Sequence, residues 1–346
     1  MKRQVTPVKV GNLQIDGKKI YIQSMLSRPA SDIEANILQA VELEEAGCEI
    51  IRVAIPNMEA IKLIGAIKDR ISIPLVADIH FDYRLALAAI DAGIDKIRIN
   101  PGNIGDDDRV RQVANACKLA NVPIRIGVNA GSLERELLKK YKAPTSHALV
   151  ESAMNHVSLL EKHDFHDIVI SIKSSNVNTM VDSYRLLAGA CNYPLHLGVT
   201  EAGTERMGLI KSAIGIGSLL LDGIGETIRV SLTADPIKEI SAAKDILRSI
   251  GRYGGIEIIS CPTCGRTNID LISLANKVED ALSGLDKDIK VAVMGCAVNG
   301  PGEAREADIG IAGGNGTVLI FKHGGILRKV KEEDALSELI KEIEQM

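Results

Sequence analysis

The chain has 346 residues, and 46% of them are hydrophobic, which is enough for two domains or for one large barrel with an additional module. Its formal net charge is −4, with no Trp and only 3 Phe and 6 Tyr. This composition argues against nucleic-acid binding, which favours a basic surface and stacking aromatic side chains. No apolar signal sequence or run of about 18 apolar residues occurs, so we expect a cytoplasmic protein without a membrane span.

Short β-branched runs alternate with longer helical stretches between residues 20 and 235. Gly47 and Gly93 close two of the helical stretches, where a left-handed residue is favoured. The predicted strands are 20–25, 49–55, 74–80, 96–101, 123–129, 167–173, 194–200 and 227–233. Eight such units predict a parallel (β/α)8, or TIM, barrel, with a doubly wound parallel sheet as the alternative.

The sequence predicts a second domain after the last helix of the barrel. Residues 1–250 are expected to form the barrel and to bind the substrate, and the Gly-rich segment 251–255 is a predicted linker. Residues 256–346 are expected to form a small α+β domain. Its predicted strands are 256–260, 290–294, 308–312 and 317–322, and its predicted helices are 268–282 and 332–346.

Alternate residues of a strand point to opposite sides, and here the two sides differ in polarity. One side is apolar and is expected to meet the helices, while the polar side points into the barrel. The polar side carries Arg52, Asp78, His80, Arg98, Arg125, Asn129, Ser171, Lys173, His196, Arg229 and Ser231.

The predicted barrel interior has more positive than negative charge. Four arginines and one lysine converge there, and Asp78 is the only carboxylate on the strands, which leaves a surplus of about four positive charges. Because buried charges usually need partners, this surplus favours an anionic ligand. Arg, Asn and Ser bind phosphate oxygens well, so we expect a phosphorylated substrate.

Glu201 directly follows the seventh predicted strand, at the end of a barrel where catalytic side chains lie. Its carboxylate can act as a general acid or base, or it can be the counter-ion of an arginine. The spacing does not separate these two roles. His80 and His196 are weaker catalytic candidates, because a single inward His is more often structural.

Three cysteines of the second domain have ligand-like spacing. Cys261 and Cys264 form a Cys-x2-Cys pair, and Cys296 lies in a Gly-rich run that ends at Glu303. Thiolates grouped in this way, without a secretion signal, indicate a metal or iron–sulfur site rather than disulfides. Zinc, with His323 as a fourth ligand, is one possibility. The Gly-rich setting of Cys296 favours an iron–sulfur cluster, whose sulfides accept backbone hydrogen bonds.

Motifs along nearly the whole chain resemble those of the bacterial 4-hydroxy-3-methylbut-2-enyl diphosphate synthases. They are QSM at 23–25, ADIH at 77–80, RINPGN at 98–103, GVNAG at 127–131, SIKSS at 171–175, HLGVTEAG at 196–203, RVSL at 229–232, CPTCGR at 261–266 and GCAVNGPGE at 295–303. One departure is the segment 26–32, LSRPASD, where many members of the family have a Thr- and Asn-rich loop.

The resemblance implies an iron–sulfur oxidoreductase of the non-mevalonate (methylerythritol phosphate) isoprenoid pathway. Members convert 2-C-methyl-D-erythritol 2,4-cyclodiphosphate into 4-hydroxy-3-methylbut-2-enyl diphosphate with two electrons, which flavodoxin or ferredoxin delivers. Compact bacterial members join a (β/α)8 barrel to a [4Fe–4S] domain. They form head-to-tail homodimers in which the cluster of one subunit closes the barrel of the other.

The resemblance also implies roles for particular residues. It assigns the cluster to Cys261, Cys264, Cys296 and Glu303, with the carboxylate leaving one iron exchangeable. It assigns the diphosphate to Arg52, Arg98, Arg125, Asn129, Lys173 and Ser231, and acid–base chemistry to Glu201. Two alternatives are a zinc-dependent or metal-free barrel lyase or transferase with a structural metal module, and an electron carrier without catalysis. The convergent cations argue against the carrier.

Overall fold

The computed structural model of the protein describes residues 3–285 and 287–346. The chain divides into two compact units, Met1–Ile250 and Gly251–Met346. Each unit has a hydrophobic core of its own. Across the described residues, every helix is too short or too polar to cross a lipid bilayer.

The first unit begins with a small antiparallel hairpin and continues with eight parallel strands. The hairpin strands are β1 (Val8–Val10) and β2 (Leu13–Ile15). The parallel strands are β3 (Tyr21–Met25), β4 (Ile50–Ala54), β5 (Leu75–Asp78), β6 (Lys96–Ile99), β7 (Ile124–Asn129), β8 (Ile168–Lys173), β9 (His196–Leu197) and β10 (Thr227–Ile228).

The eight strands close into a barrel. Strands β3 to β8 pair in chain order, and β10 pairs with both β3 and β9. A bridge between Ile170 and Leu195 joins β8 to the residue before β9 and closes the ring. Because a doubly wound sheet has two open edges, this pairing confirms the predicted (β/α)8 barrel and excludes the alternative.

Helices cover the outside of the barrel. They are α1 (Ile33–Glu45), α2 (Lys62–Lys68), α3 (Tyr83–Asp91), α4 (Asp107–Ala120), α5 (Arg135–Tyr141), α6 (Ser146–Glu161), α7 (Val177–Ala190), α8 (Glu205–Leu221) and α9 (Pro236–Ser249). The apolar sides of the strands are fully buried against them, for example at Ile97, Ile99, Ile124 and Ile126. The two-residue periodicity of the sequence therefore predicted correctly which side of each strand faces the helices.

The last two barrel strands are shorter than the sequence predicts. Each has only two residues in the ladder, although the β-branched runs extend over 194–200 and 227–233. Beyond Leu197 the chain passes close to its neighbour, because a Cβ atom on Gly198 would lie 2.7 Å from the carbonyl oxygen of Arg229. The Arg229 N–H donates to the Leu197 carbonyl oxygen at 2.9 Å, so the two segments remain hydrogen-bonded just past the end of β10.

In its described residues, the second unit has a five-stranded mixed sheet and three α-helices. Its elements are β11 (Glu257–Ser260), α10 (Leu271–Leu282), β12 (Lys290–Met294), α11 (Gly300–Glu303), β13 (Ile309–Gly313), β14 (Thr317–Lys322), β15 (Gly325–Lys331) and α12 (Ala335–Glu344). β11, β12 and β13 are parallel, and β14 and β15 continue the sheet in antiparallel pairs. The sequence analysis missed β15, a mostly exposed, Lys- and Arg-containing edge strand without apolar alternation.

The N-terminal hairpin closes the bottom of the barrel. Val8, Val10 and Ile15 are fully buried and pack with Val169, near the beginning of β8. Strands start at the bottom of a (β/α)8 barrel and end at its catalytic face. Side chains in the lower half of the interior are therefore screened from water.

Lys96, the first residue of β6, lies in this screened interior. Its side chain has no exposed surface, and its Nζ atom has no hydrogen-bond partner among the described residues. Burial, together with the nearby Arg125, holds the pKa of Lys96 well below its usual range. An amine in this position lowers stability, because the unfolded chain can hydrate and protonate it.

We predict that Lys96→Met raises the free energy of unfolding by about 1–3 kcal/mol at neutral pH, because it removes an unpartnered polar group from the interior. Unfolding of the parent takes up a proton at Lys96, so the parent gains stability as the pH rises towards 10.5, the ordinary pKa of lysine. This part of the pH dependence should disappear in Lys96→Met. Chemical denaturation at neutral and alkaline pH measures both effects.

The exposed Lys62→Met on α2 is the matched control and should change the free energy of unfolding by less than about 0.5 kcal/mol. A clear loss of stability in Lys96→Met would show that the amine is held by a bound water or anion.

Candidate active site and cysteine cluster region

A cavity of about 140 Å³ lies at the ends of the barrel strands. It is lined by Arg52, His80, Arg98, Arg125, Asn129, Ser171, Lys173, Thr200, Arg229 and Ser231. Apart from Thr200, these residues come from the polar strand side that the sequence predicts. They converge because the carboxyl ends of parallel strands meet at one face of a barrel.

Asp78 lies behind this lining and orients two of its arginines. The Arg52 Nη2 atom donates to Asp78 Oδ2 at 2.8 Å, and the Arg98 Nη1 atom donates to Oδ1 at 3.3 Å. His80 Nε2 lies 3.2 Å from Oδ2. Burial alone would raise the pKa of Asp78, but Arg52, His80 and Arg98 together hold it well below its usual range. Asp78 is therefore ionised at neutral pH.

Arg125 and Lys173 have no such carboxylate partner among the described residues. Arg125 donates from Nη1 to Gln23 Oε1 at 3.3 Å, and its Nε atom has no partner among the described residues. Burial and the neighbouring arginines hold the pKa values of Arg125 and Lys173 well below their usual range. Burial also lowers the pKa of Arg52 to about 10. The cavity wall therefore has unsatisfied positive charge that an anion would stabilise.

Arg229 does have a carboxylate partner, and this corrects the predicted surplus of about four positive charges. Glu239, on helix α9, accepts hydrogen bonds from Arg229 Nε and Nη2, each at 3.3 Å. In the part of the chain that the structure describes, two carboxylates thus contact three of the five predicted cations. Asp78 contacts Arg52 and Arg98, and Glu239 contacts Arg229. The sequence analysis missed Glu239 because strand alternation says nothing about a helical side chain that reaches the barrel wall.

Gly127 on β7 leaves room for the Arg98 side chain. A Cβ atom at Gly127 would lie 2.3 Å from Arg98 Nε and 2.6 Å from Nη2. Arg98 Nη2 also donates to the carbonyl oxygen of Gly127 at 3.3 Å. Any side chain at this position would displace the guanidinium group from the cavity wall.

Glu201 and His196 lie outside the cavity lining as the structure describes it. Glu201 is exposed and has a φ of 51°, a conformation that costs a non-glycine residue about 1–3 kcal/mol. It directly follows Thr200, which does line the cavity. His196 is fully buried, with Nδ1 2.8 Å from Thr227 Oγ1, and its Nε2 atom has no hydrogen-bond partner among the described residues.

Two of the three clustered cysteines lie at one edge of the second sheet. Cys261 follows β11 and Cys296 follows β12, and these strands are parallel neighbours. Their carboxyl ends therefore meet at the same edge. The Gly295 backbone N–H donates to Cys261 Sγ at 3.1 Å, the type of hydrogen bond that sulfur ligands accept in iron–sulfur sites.

Arg266 connects the remaining candidate ligands. Hydrogen bonds from its backbone and side chain lower the pKa of the Cys264 thiol. In turn, Cys264, Cys296 and, less strongly, Glu303 raise the pKa of Arg266. The arginine therefore lies within electrostatic reach of three predicted ligands and stabilises thiolate at Cys264.

The donor chemistry of this region fits an iron–sulfur cluster, although no preformed metal cage is present. Within residues 3–285 and 287–346, no three His, Cys, Asp or Glu side chains are close enough to hold a metal ion. The predicted zinc ligand His323 follows β14, whose end is next to the beginning of β13. Strand register thus separates His323 from the edge where Cys261 and Cys296 lie.

The cysteines of the barrel are of a different kind. Cys48 and Cys117 are buried, as expected for small apolar residues, and burial raises the pKa of Cys48 to about 12. Cys191 is half-buried, and burial likewise raises its pKa. These thiols remain protonated at neutral pH and are poor metal ligands.

Comparison with known families gives the same division of the chain. The model of the GcpE TIM-barrel domain matches residues 5–244, and the model of the GcpE protein C-terminal domain matches residues 257–345. The chain belongs to the GcpE family. The resemblance that the sequence motifs indicate is thereby confirmed.

Relatives in the GcpE family are similar over nearly their whole length. Three of them are each named 4-hydroxy-3-methylbut-2-en-1-yl diphosphate synthase (flavodoxin). The Clostridium perfringens protein is 61% identical over 99% of both chains. The Fusobacterium nucleatum protein is 57% identical over 100% of this chain and 98% of its own. The Listeria monocytogenes protein is 57% identical over 99% of this chain and 94% of its own.

Two solved structures of other enzymes are similar to this chain in fold. The 3-dehydroquinate dehydratase of Geobacillus kaustophilus aligns with a TM-score of 0.54 at 15% identity, covering 73% of this chain and 100% of its own. The dihydropteroate synthase of Stenotrophomonas maltophilia aligns with a TM-score of 0.53 at 14% identity, covering 71% and 98%. At such low identity, these similarities support the barrel fold and no particular activity.

We predict that Gly127→Ala weakens the binding of inorganic pyrophosphate by about tenfold or more, because the new methyl group displaces Arg98 from the cavity wall. Isothermal titration calorimetry measures the affinity. The control is Gly131→Ala, because a Cβ atom there has no neighbour within 4 Å. Equal affinities of the two variants would show that Arg98 does not contact the anion.

Proposed function

We propose that this protein reduces 2-C-methyl-D-erythritol 2,4-cyclodiphosphate to 4-hydroxy-3-methylbut-2-enyl diphosphate. The observation that carries the proposal is the cavity at the barrel mouth, where buried cations outnumber the described carboxylates. The names of the relatives, which cover almost the whole chain, support the same reaction. A doubly phosphorylated, compact substrate supplies the negative charge that the cavity lacks.

The diphosphate is the part of the substrate that this cavity suits best. Its volume of about 140 Å³ is smaller than the ~300–1,000 Å³ of typical small-molecule sites, so it can enclose a charged group but not a whole ligand. Arg52, Arg98, Arg125 and Lys173 would bind phosphate oxygens as charged donors. Asn129 and Ser231 would add neutral hydrogen bonds. The carbon skeleton would then point out of the mouth, past Thr200 and towards Glu201.

The reaction needs electrons and protons at that outer end. Opening the ring breaks a carbon–oxygen bond to phosphate, and dehydration breaks a second carbon–oxygen bond; two electrons and two protons enter, and one water leaves. A [4Fe–4S] cluster bound by Cys261, Cys264, Cys296 and Glu303 would supply the electrons. Glu201 is placed after a barrel strand and exposed to solvent, so it can deliver a proton to the departing hydroxyl.

We further propose a cytoplasmic, head-to-tail homodimer that receives electrons from flavodoxin or ferredoxin. The relatives carry flavodoxin in their names, which supports that donor. The small cavity needs additional walls to enclose a whole substrate, and a second subunit would supply them. In this arrangement the cluster domain of one subunit closes the barrel of its partner and brings the electrons to the substrate.

We predict that Arg125→Met weakens binding of the cyclic diphosphate by about 2–4 kcal/mol, because a desolvated charge partner is lost. Calorimetric titration of the folded variant measures this. Arg84→Met is the control: Arg84 is an exposed arginine on α3 that pairs with Asp82. If both variants bind as tightly as the parent, the diphosphate does not occupy this cavity.

We predict that the protein purified without oxygen contains about four irons and four sulfides per chain. Glu303→Ala should keep an oxygen-sensitive cluster with an altered electron paramagnetic resonance spectrum and lose most turnover, because only three thiolates remain as protein ligands. The control is Glu306→Ala, which changes another exposed glutamate of the same segment. Stoichiometric zinc in the parent, or a parental spectrum and rate in Glu303→Ala, would contradict the assignment.

A further inference from the structure

Glu239 is a buried carboxylate that joins four donors at the wall of the barrel. It is only 4% exposed and lies one turn into α9, which begins after the capping residue Asp235. Its Oε2 atom accepts from Ser24 Oγ at 3.0 Å and from Arg229 Nε at 3.3 Å. Its Oε1 atom accepts from Arg229 Nη2 at 3.3 Å and from the Leu232 backbone N–H at 3.2 Å.

These contacts bracket a segment of the rim that lacks regular strand pairing. The β10 ladder ends at Ile228. Beyond it the Arg229 N–H donates to the Leu197 carbonyl oxygen at 2.9 Å, and an isolated bridge joins Thr233 to Thr204, so regular strand pairing does not run through the residues between them. Arg229 and Ser231 both line the cavity from this segment. At the beginning of this segment Glu239 binds the Arg229 side chain, and just after Ser231 it binds the Leu232 backbone N–H. A single carboxylate therefore contacts both ends of the segment.

We propose that Glu239 is a positioning residue that sets the places of Arg229 and Ser231 for the phosphorylated ligand. This positioning role rests on the proposed function, because the ligand that Arg229 and Ser231 contact is the proposed diphosphate. Glu239 itself does not line the cavity. It acts on the ligand through the guanidinium group of Arg229 and the hydroxyl group of Ser231.

The chemistry of the contacts requires a carboxylate at this position. All four partners are donors: two guanidinium N–H groups, a backbone N–H and a hydroxyl. An ionised carboxylate accepts all of them, whereas the amide of glutamine turns one acceptor into a donor. Glu239→Gln therefore keeps the volume of the side chain, but its amide NH2 group faces donors that the carboxylate now accepts from. The substitution also removes the charge that balances Arg229.

The test is a double-mutant cycle on the affinity for the cyclic diphosphate, measured by calorimetry. We expect Glu239→Gln to bind about tenfold or more weakly than the parent. In a background that already carries Arg229→Met and Ser231→Ala, the same substitution should change the affinity less than twofold, because the groups that it positions are gone. A merely structural role would lower the affinity equally in both backgrounds.

Glu226→Gln is the matched control. Glu226 is 2% exposed and lies just before β10, where its Oε2 atom accepts from the Leu195 backbone N–H at 2.6 Å. This position is at the opposite end of the barrel from the cavity. Glu226→Gln should lower the melting temperature and leave the affinity within twofold of the parent.

The outcomes separate this inference from the proposed function. If the parent does not bind the cyclic diphosphate, the proposed function fails. If the parent binds and Glu239→Gln binds equally well, or loses affinity equally in both backgrounds, the positioning role is overturned. Should Glu239→Gln not fold, Glu239→Asp takes its place in the same cycle: its shorter carboxylate cannot reach every donor, and unchanged affinity would likewise overturn the role.

Discussion

The structure depends on an excess of positive charge buried inside a closed barrel. Four arginines and Lys173 lie on or directly after the strands. In the described chain, Asp78 contacts Arg52 and Arg98, and Glu239 contacts Arg229. Removing charges from water is costly unless each has a partner. These incompletely paired charges destabilise the free protein, and we propose that an anionic ligand offsets this cost by pairing with them.

Other features of the fold keep this charge in place. The N-terminal hairpin closes the bottom of the barrel, so the cations are accessible only from the catalytic end. Gly127 leaves space for the guanidinium group of Arg98, and Asp78 orients the guanidinium groups of Arg52 and Arg98. Glu239 binds the chain just after the end of β10. The parallel strands of the second unit present Cys261 and Cys296 at one edge, and we propose that the redox cluster binds there.

Much of the barrel site could be predicted from sequence, because strand residues alternate with a fixed period. Arg98 and Arg125 share the polar face of neighbouring strands, and their Cα atoms pair directly in the sheet. The period gives no information about side chains that come from helices or about local backbone breaks. Glu239 and the early ends of β9 and β10 were not predicted for that reason. β15 was not predicted because this exposed edge strand has no apolar alternation. The cysteine spacing indicated candidate ligands, but not the proximity of Arg266 to them.

The most direct test of the buried charge excess is a crystal structure of the protein with the cyclic diphosphate bound. The account predicts phosphate oxygens within hydrogen-bond distance of Arg52, Arg98, Arg125 and Lys173, with Glu239 still paired to Arg229. A ligand whose phosphates face solvent, or a cavity filled only by water while the diphosphate binds elsewhere, would contradict it.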